Sequence, residues 1–231
     1  MTGEGRVISV ILPVFNQQSY LEEAIESVLN QSGVTLELIV VDDGSSDRSA
    51  EVVRSYGPPV AYLYQPNGGI GTARNRGVQA ARGGFLNFLD SDDRMRPGCL
   101  EKLQKALDDD PPAEAVFGGV SEFVSPDLSP ADAAGVRAPL KNVPSKMPTA
   151  MLIRREAFMK VGPFSTARRA SESLDWYSRA MAKGLRHTRV EEVLWERRLH
   201  AGHYSSTLDY AGFLPQMLKD RLDARRRLSA G

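Results

Sequence analysis

The sequence predicts an α/β protein built on a mixed, mainly parallel sheet with helices on both faces. Three observations carry that expectation. Short β-branched apolar runs alternate with stretches whose apolar residues recur at helical spacing. The apolar runs are nearly unbroken, as in strands buried on both faces. The early runs also end in polar, acidic or glycine-rich segments, which places those segments together on one rim of a parallel sheet.

Residues 7–12, VISVIL, are the first buried strand and residues 36–41, LELIVV, the second. Between them Leu21, Ala24, Ile25, Val28 and Leu29 share one helical face, and Ser19-x-x-Glu22 reads as a capping box that sets the helix start. A helix over 46–57 ending at Gly57, a strand over 60–64, a helix over about 69–82 and a strand over 84–89 continue the alternation. A helix over about 98–107 is stopped by DDDPP, and 113–124 reads as a strand. Residues 125–146, rich in Pro, Ala and Ser, read as a long mobile surface loop. A strand leading into a short helix over 149–162, a helix over about 172–183, two short strands in 185–190 and 193–199, and a last helix over about 208–228 complete the chain. No internal repeat is present, and 231 residues suit one domain.

Composition excludes several classes. The 42% hydrophobic and 25% charged fractions are those of an ordinary globular protein. Cys99 is the single cysteine, so neither an internal disulfide nor a multi-cysteine zinc site is available, and it reads as a small buried apolar residue. The 29 basic and 29 acidic residues cancel, so no general field favours nucleic acid. No apolar run reaches the roughly 18–20 residues of a membrane span, and the N-terminus lacks a signal-peptide pattern, so the expected location is cytoplasmic.

The rim is chemically specific. Strand ends followed by PVFNQ, DDGSSD, QPNGGIGTARN and DSDD gather Asp42, Asp43, Arg74, Asn75, Asp90, Asp92 and Asp93 around one cleft. So many carboxylates repel one another, and a divalent cation with hard oxygen ligands, Mg²⁺ or Mn²⁺, would relieve them while sharing its other positions with substrate phosphates. The segment NGGIGTARN offers backbone N–H groups at a helix start and Arg74 as a bidentate cation. It is neither a P-loop, since no Gly-Lys-Ser/Thr follows, nor G-x-G-x-x-G, since Arg74 stands at the third glycine. Singly, each feature has a plainer reading: a turn-forming Asp, a helix-capping Ser45 or Ser46, a solvated Arg74. Their convergence on one rim favours a metal-diphosphate pocket.

The blocks ISVILPVFN, VVDDGSSD, NGGIGTARNRG and FLDSDD, in that order and spacing, resemble those of family 2 glycosyltransferases of the GT-A fold; MLIRREAFMKVGPF and WERRLHAGHYSS resemble later blocks. The likeness spans roughly residues 6–206. It implies one GT-A domain with a Rossmann-like nucleotide-sugar half over 1–110, an acceptor and catalytic half over 111–206, and a C-terminal helix over 207–231. Carried over by position, Phe15 and Asp43 meet the nucleotide base, Arg74 lies at the base or diphosphate, Asp90 faces the ribose, and Asp92 binds Mn²⁺ or Mg²⁺. Asp93 and His200 are further candidate ligands, with His203 competing for the latter role. Pro13, Asn67, Ser91, Glu172 and Trp176 complete the implied substrate-binding set, and Arg197 or Arg198 neutralises the leaving diphosphate.

Asp175, just before Trp176, matches the Asp of the family's Glu-Asp pair and is the implied general base; Leu174 stands where Glu is usual, and Glu172 is its nearest substitute. A carboxylate favoured by the helix dipole is the alternative for Asp175. The implied reaction transfers a sugar from a nucleotide-diphospho-sugar, a UDP-sugar by expectation, to an acceptor hydroxyl with inversion. Two rivals remain: a non-catalytic nucleotide-sugar-binding protein, and a nucleotidyltransferase, against which the absence of Gly and Lys from PVFNQQSY argues. The acceptor is not specified by any motif. The arginines at 225–227 fit either weak contact with an anionic membrane surface or a solvated helix end.

Overall fold

The computed structural model of the chain describes residues 6–136, 138–144, 147–167 and 171–200. Four parallel strands form its first half: β1 (Ile8–Val14), β2 (Leu36–Asp42), β3 (Val60–Tyr64) and β4 (Phe85–Phe88), ordered β3-β2-β1-β4. The sheet then turns mixed. β8 (Met151–Arg154) runs antiparallel to β4, β6 (Ala115–Val124) antiparallel to β8, and β9 (His187–Leu199) parallel to β6. The short β5 (Arg94–Met95) and β7 (Val143–Pro144) add antiparallel pairs to β9 and β6. This is the mixed, mainly parallel architecture expected.

Strand pleating assigns alternate residues of β1 to two apolar layers. Ile8, Val10 and Leu12 pack with Leu21 and Ile25 of α1 (Gln18–Leu29) and Leu100 and Leu103 of α4 (Cys99–Asp109). Ile11 faces the other way, into a layer with Ala73 of α3 (Ile70–Ala80), Phe158 of α6 (Arg155–Val161) and Trp176 of α7 (Glu172–Ala182). The short α2 (Ser49–Arg54) packs beside α1. Cys99 is buried, as its sequence context suggested.

Three local expectations are corrected. The Ser19-x-x-Glu22 capping box does not form: α1 begins two residues earlier, with Gln17 at the N-cap, and its Gln18 N–H donates to Asp47 Oδ2 at 3.0 Å while Gln18 Oε1 accepts from Arg48 N–H at 2.7 Å. The cap is thus supplied by the loop after β2. The supposed long loop contains α5 (Pro130–Gly135), whose Ser129 Oγ accepts from Asp132 N–H, and β7, which pairs with β6. The two late strands are one 13-residue strand, β9, whose pairing with β6 shifts register at irregularities around Gly119. β5 was not anticipated, being too short to show a period. The helix expected over 208–228 lies outside the described residues. Among the described residues no helix is long and apolar enough to cross a membrane.

Close approach of α3 to the sheet depends on Gly77, where a Cβ would stand 2.4 Å from Ile11 Cγ2, a fully buried atom on the central strand. Alanine ordinarily favours a helix interior by about 1 kcal/mol over glycine. Here overpacking outweighs that gain, and Gly77→Ala is expected to destabilise the fold by about 1–3 kcal/mol, read as a lower urea midpoint. An unchanged or higher midpoint contradicts this packing.

Candidate functional site

The rim is organised around the end of β4. Its four residues are buried, Phe88 meets Phe164 edge-on at 5.1 Å, and Leu89 N–H donates to Ile11 C=O at 3.0 Å. The chain leaves this rigid strand as Asp90-Ser91-Asp92-Asp93, closed by an Asp93 N–H to Asp90 C=O bond of 3.1 Å.

Arg74 joins this loop to the second half of the molecule. It lies on the inner face of α3, and its side chain is only 2% exposed. Nη2 donates to Asp90 Oδ1 at 2.6 Å; Nη1 donates to Glu172 Oε1 at 2.7 Å and Ser173 Oγ at 2.8 Å. The guanidinium also lies over the Phe164 ring, 5.5 Å from its centroid. Burial pulls its pKa down, but Asp90 and Glu172 outweigh burial and hold it above the ordinary arginine value. Gly71 permits the approach, since a Cβ there would lie 2.6 Å from Ser165 C=O.

Asp42 and Asp43 shape the neighbouring loops. Asp43 accepts from Gln65 Nε2 at 2.6 Å and from the N–H groups of Gly68 and Gly69 at 2.9 and 2.8 Å, which fixes the glycine-rich entry to α3. Asp42 accepts from Ser45 N–H and from the Tyr62 hydroxyl. Burial, then the bond to Asp42, push Tyr62 up to about 12, so it remains a donor at neutral pH.

The far side of the acidic loop is held by Arg198, near the end of β9. Its N–H donates to Asp93 Oδ1 at 2.9 Å, its Nε to Asp92 C=O at 3.1 Å, and its Nη1 to Ser125 Oγ at 3.1 Å; it also pairs with Glu23. Tyr20 and Phe123 cover its guanidinium at 4.6 and 4.7 Å. His200 Nε2 lies 3.1 Å from Asp92 Oδ2, and its ring packs on Tyr20. Burial, followed by the charges of Asp92 and Asp90, pushes the Asp93 carboxyl well above the usual carboxylate range.

These donors fit a divalent cation with two protein ligands. The 3.1 Å between Asp92 Oδ2 and His200 Nε2 is close to the roughly 3 Å separating adjacent octahedral ligands placed about 2.1 Å from Mg²⁺. Among the described residues no group of three or more His, Cys, Asp or Glu side chains is arranged to hold a metal.

A family model described as glycosyl transferase family 2 matches residues 9–162, which include the glycine-rich segment, Arg74 and the acidic loop. The chain belongs to glycosyl transferase family 2. An uncharacterized glycosyltransferase of Haemophilus influenzae is 32% identical over 180 residues, 74% of this chain and 60% of that protein. One from Rickettsia typhi is 40% identical over 95 residues, 41% of this chain and 30% of that protein. The crystal structure of S. aureus TarS 1-349 in complex with UDP-GlcNAc superposes with a TM-score of 0.71 at 19% identity, covering 87% of this chain and 61% of that one. That likeness shows the fold, in agreement with the GT-A expectation. The chain spans about 30% of the length of several curated relatives it matches.

Within this family 2 chain, the residues singled out from sequence divide by position. Asp43, Arg74, Asp90, Ser91, Asp92, Asp93, Glu172 and His200 are at the rim. Phe15, 47% exposed, follows β1, and Asn67 is exposed on the glycine-rich loop. Pro13 is buried within β1 opposite Val41. Trp176 is fully buried, stacked on Phe158, with Nε1–H donating to Gly162 C=O. Asp175 pairs with Arg179, its Oδ2 accepting from Nε at 2.9 Å. Of the two arginines weighed for the diphosphate, Arg198 is directed inward, while Arg197 lies 3.8 Å from Glu122. His203 lies outside the described residues. Ser173, Tyr20 and Glu23 were missed; no local motif marks them, because their partners are Arg74 and Arg198, distant in the chain.

Removing the cation from this cluster leaves Glu172 buried without its partner. Arg74→Met is expected to cost about 3–5 kcal/mol in urea unfolding, and Arg74→Met/Glu172→Gln to recover part of that loss. Additive losses in the double variant contradict the coupling.

Proposed function

We propose that the chain carries the transferase activity of an inverting glycosyltransferase, moving a sugar from a UDP-sugar to an acceptor hydroxyl. One observation carries the reading: the family match includes the acidic loop at the end of β4, where Asp90 meets Arg74 and Asp92 faces His200. UDP is favoured because TarS, of like fold, is described in complex with UDP-GlcNAc.

In this reading the base stacks on Phe15 and meets Asp43, which keeps acceptor capacity on Oδ2 beside its bond from Gly69. Asp90 faces the ribose. Asp92 and His200 would hold Mn²⁺ or Mg²⁺, with Asp93 beside them; when bound, the ion neutralises charge gathering on the departing diphosphate. The acceptor enters from the side of α7, whose first turn carries two carboxylates, Glu172 and Asp175. One of them takes the hydroxyl proton as the oxygen attacks the anomeric carbon and the bond to the diphosphate breaks. Asp175's pairing with Arg179 supports a second reading, a non-catalytic nucleotide-sugar-binding protein.

Release of UDP from UDP-hexoses with Mn²⁺ separates the two readings, since the second predicts binding without release. For the first, melting temperature should rise with UDP-sugars and Mn²⁺ more than with GDP-sugars. Asp92→Asn should abolish metal-dependent UDP release, and wild-type activity that persists undiminished in EDTA would sink the metal assignment.

A further inference from the structure

We propose that Glu172, held by Arg74, is the carboxylate that takes the acceptor proton, and that Asp175 is a tie within the fold. The inference rests on the transferase reading above. It reverses the assignment that the resemblance implies, and it starts from where each carboxylate is bonded.

Glu172 is one hydrogen bond from the hub of the rim. Its Oε1 accepts from Arg74 Nη1 at 2.7 Å and from Ser173 Oγ at 3.0 Å, and the same guanidinium holds Asp90 at 2.6 Å. Asp90 and Glu172 therefore flank one planar fork, so a group seated at Asp90 has Glu172 as its neighbouring carboxylate. Glu172 Oε2 makes no hydrogen bond among the described residues, and two donors fix the orientation of its partner oxygen. A carboxylate with one oxygen clamped and the other available is preorganised to receive a proton.

Asp175 is placed differently. It stands three residues further along α7, about 4.5 Å further from the helix start. Its Oδ2 accepts from Arg179 Nε, while Arg179 Nη1 and Nη2 donate to the carbonyls of Val161 and Pro163 at 3.1 and 2.7 Å. That fork anchors α7 to the end of α6. No described contact links Asp175 to Arg74 or to the acidic loop.

In the step, the acceptor O–H bond breaks and its proton passes to Glu172 Oε2. The oxygen's electron pair forms the bond to the anomeric carbon, and the bond from that carbon to the diphosphate oxygen breaks, its pair leaving on the diphosphate. The protonated carboxyl then returns its proton to solvent.

The test measures UDP release from a panel of UDP-hexoses with Mn²⁺, water serving as acceptor, and UDP affinity by calorimetry. Glu172→Gln should lower kcat at least about 100-fold with UDP affinity within about 3-fold, and Glu172→Asp should restore part of the rate. Asp175→Asn should lower the melting temperature, and its kcat should fall at least about ten-fold less than that of Glu172→Gln. If Asp175→Asn abolishes release while Glu172→Gln retains it, the assignment is wrong and the transferase reading stands. If Glu172→Gln loses UDP affinity in step with rate, Glu172 only supports Arg74 and Asp90, which also overturns it. A wild-type chain that binds UDP but releases none from any donor overturns this inference together with the transferase reading.

Discussion

The arrangement of the rim depends on one buried cation, the Arg74 guanidinium between Asp90 and Glu172. An arginine this deep loses its hydration, and a single carboxylate partner rarely compensates that cost. Two carboxylates, a serine hydroxyl and the Phe164 ring together surround it. The planar fork is what makes the arrangement directional, because Nη1 and Nη2 point at different elements of the fold. A lysine, with its single point charge, could satisfy the electrostatics without setting the angle between β4's exit loop and α7. The value of the cluster is therefore geometric more than energetic. It is built on glycine-permitted contact of α3 with the sheet and on the aromatic floor of Phe88, Phe158, Phe164 and Trp176.

A second arginine completes the compensation. Arg74 takes the first carboxylate of the acidic loop, while Arg198 takes Asp93 through its backbone N–H and the Asp92 carbonyl through Nε. Clamped at both ends, the loop has little freedom to spread its charges apart. Within it, burial and then the charges of Asp92 and Asp90 push the Asp93 carboxyl towards its protonated form. Asp92, between the clamps, is the carboxylate left facing His200. The rigidity of the loop and the crowding of its carboxylates thus arise from the same contacts.

The first half of this fold was legible because its signals are local. Apolar runs of strand length, helical spacing and glycine punctuation each lie within a dozen residues, so β1 to β4 and the helices between them follow from pattern alone. The acidic loop was legible for the same reason: Asp90, Asp92 and Asp93 are adjacent in sequence. What failed depends on distant partners. The α1 start is capped by Asp47, some thirty positions away in the chain, which no local motif records. Arg74 reads equally as a solvated helix residue until Glu172, 98 positions later, is brought against it. For Glu172 and Asp175, spacing places both in one helical turn, and only tertiary bonding separates a carboxylate on the hub from one on Arg179.

The site lies at the seam between two kinds of sheet, and this affects what family membership can convey. The acidic loop leaves β4, the last strand of the N-terminal parallel set, whereas Glu172 and His200 come from α7 and the end of β9, beyond the antiparallel turn at β8. The family match ends at residue 162, before either of them. Its shared portion therefore holds the loops that follow β1 to β4 and one side of each bridge: Arg74 without Glu172, and Asp92 without His200. A donor with a common nucleotide can be met by loops of common sequence, since base, ribose and diphosphate present the same groups throughout. An acceptor has no such constant part. The residues that close both bridges lie after the matched segment, on α7 and just past β9, so the match by itself conveys only one side of each bridge.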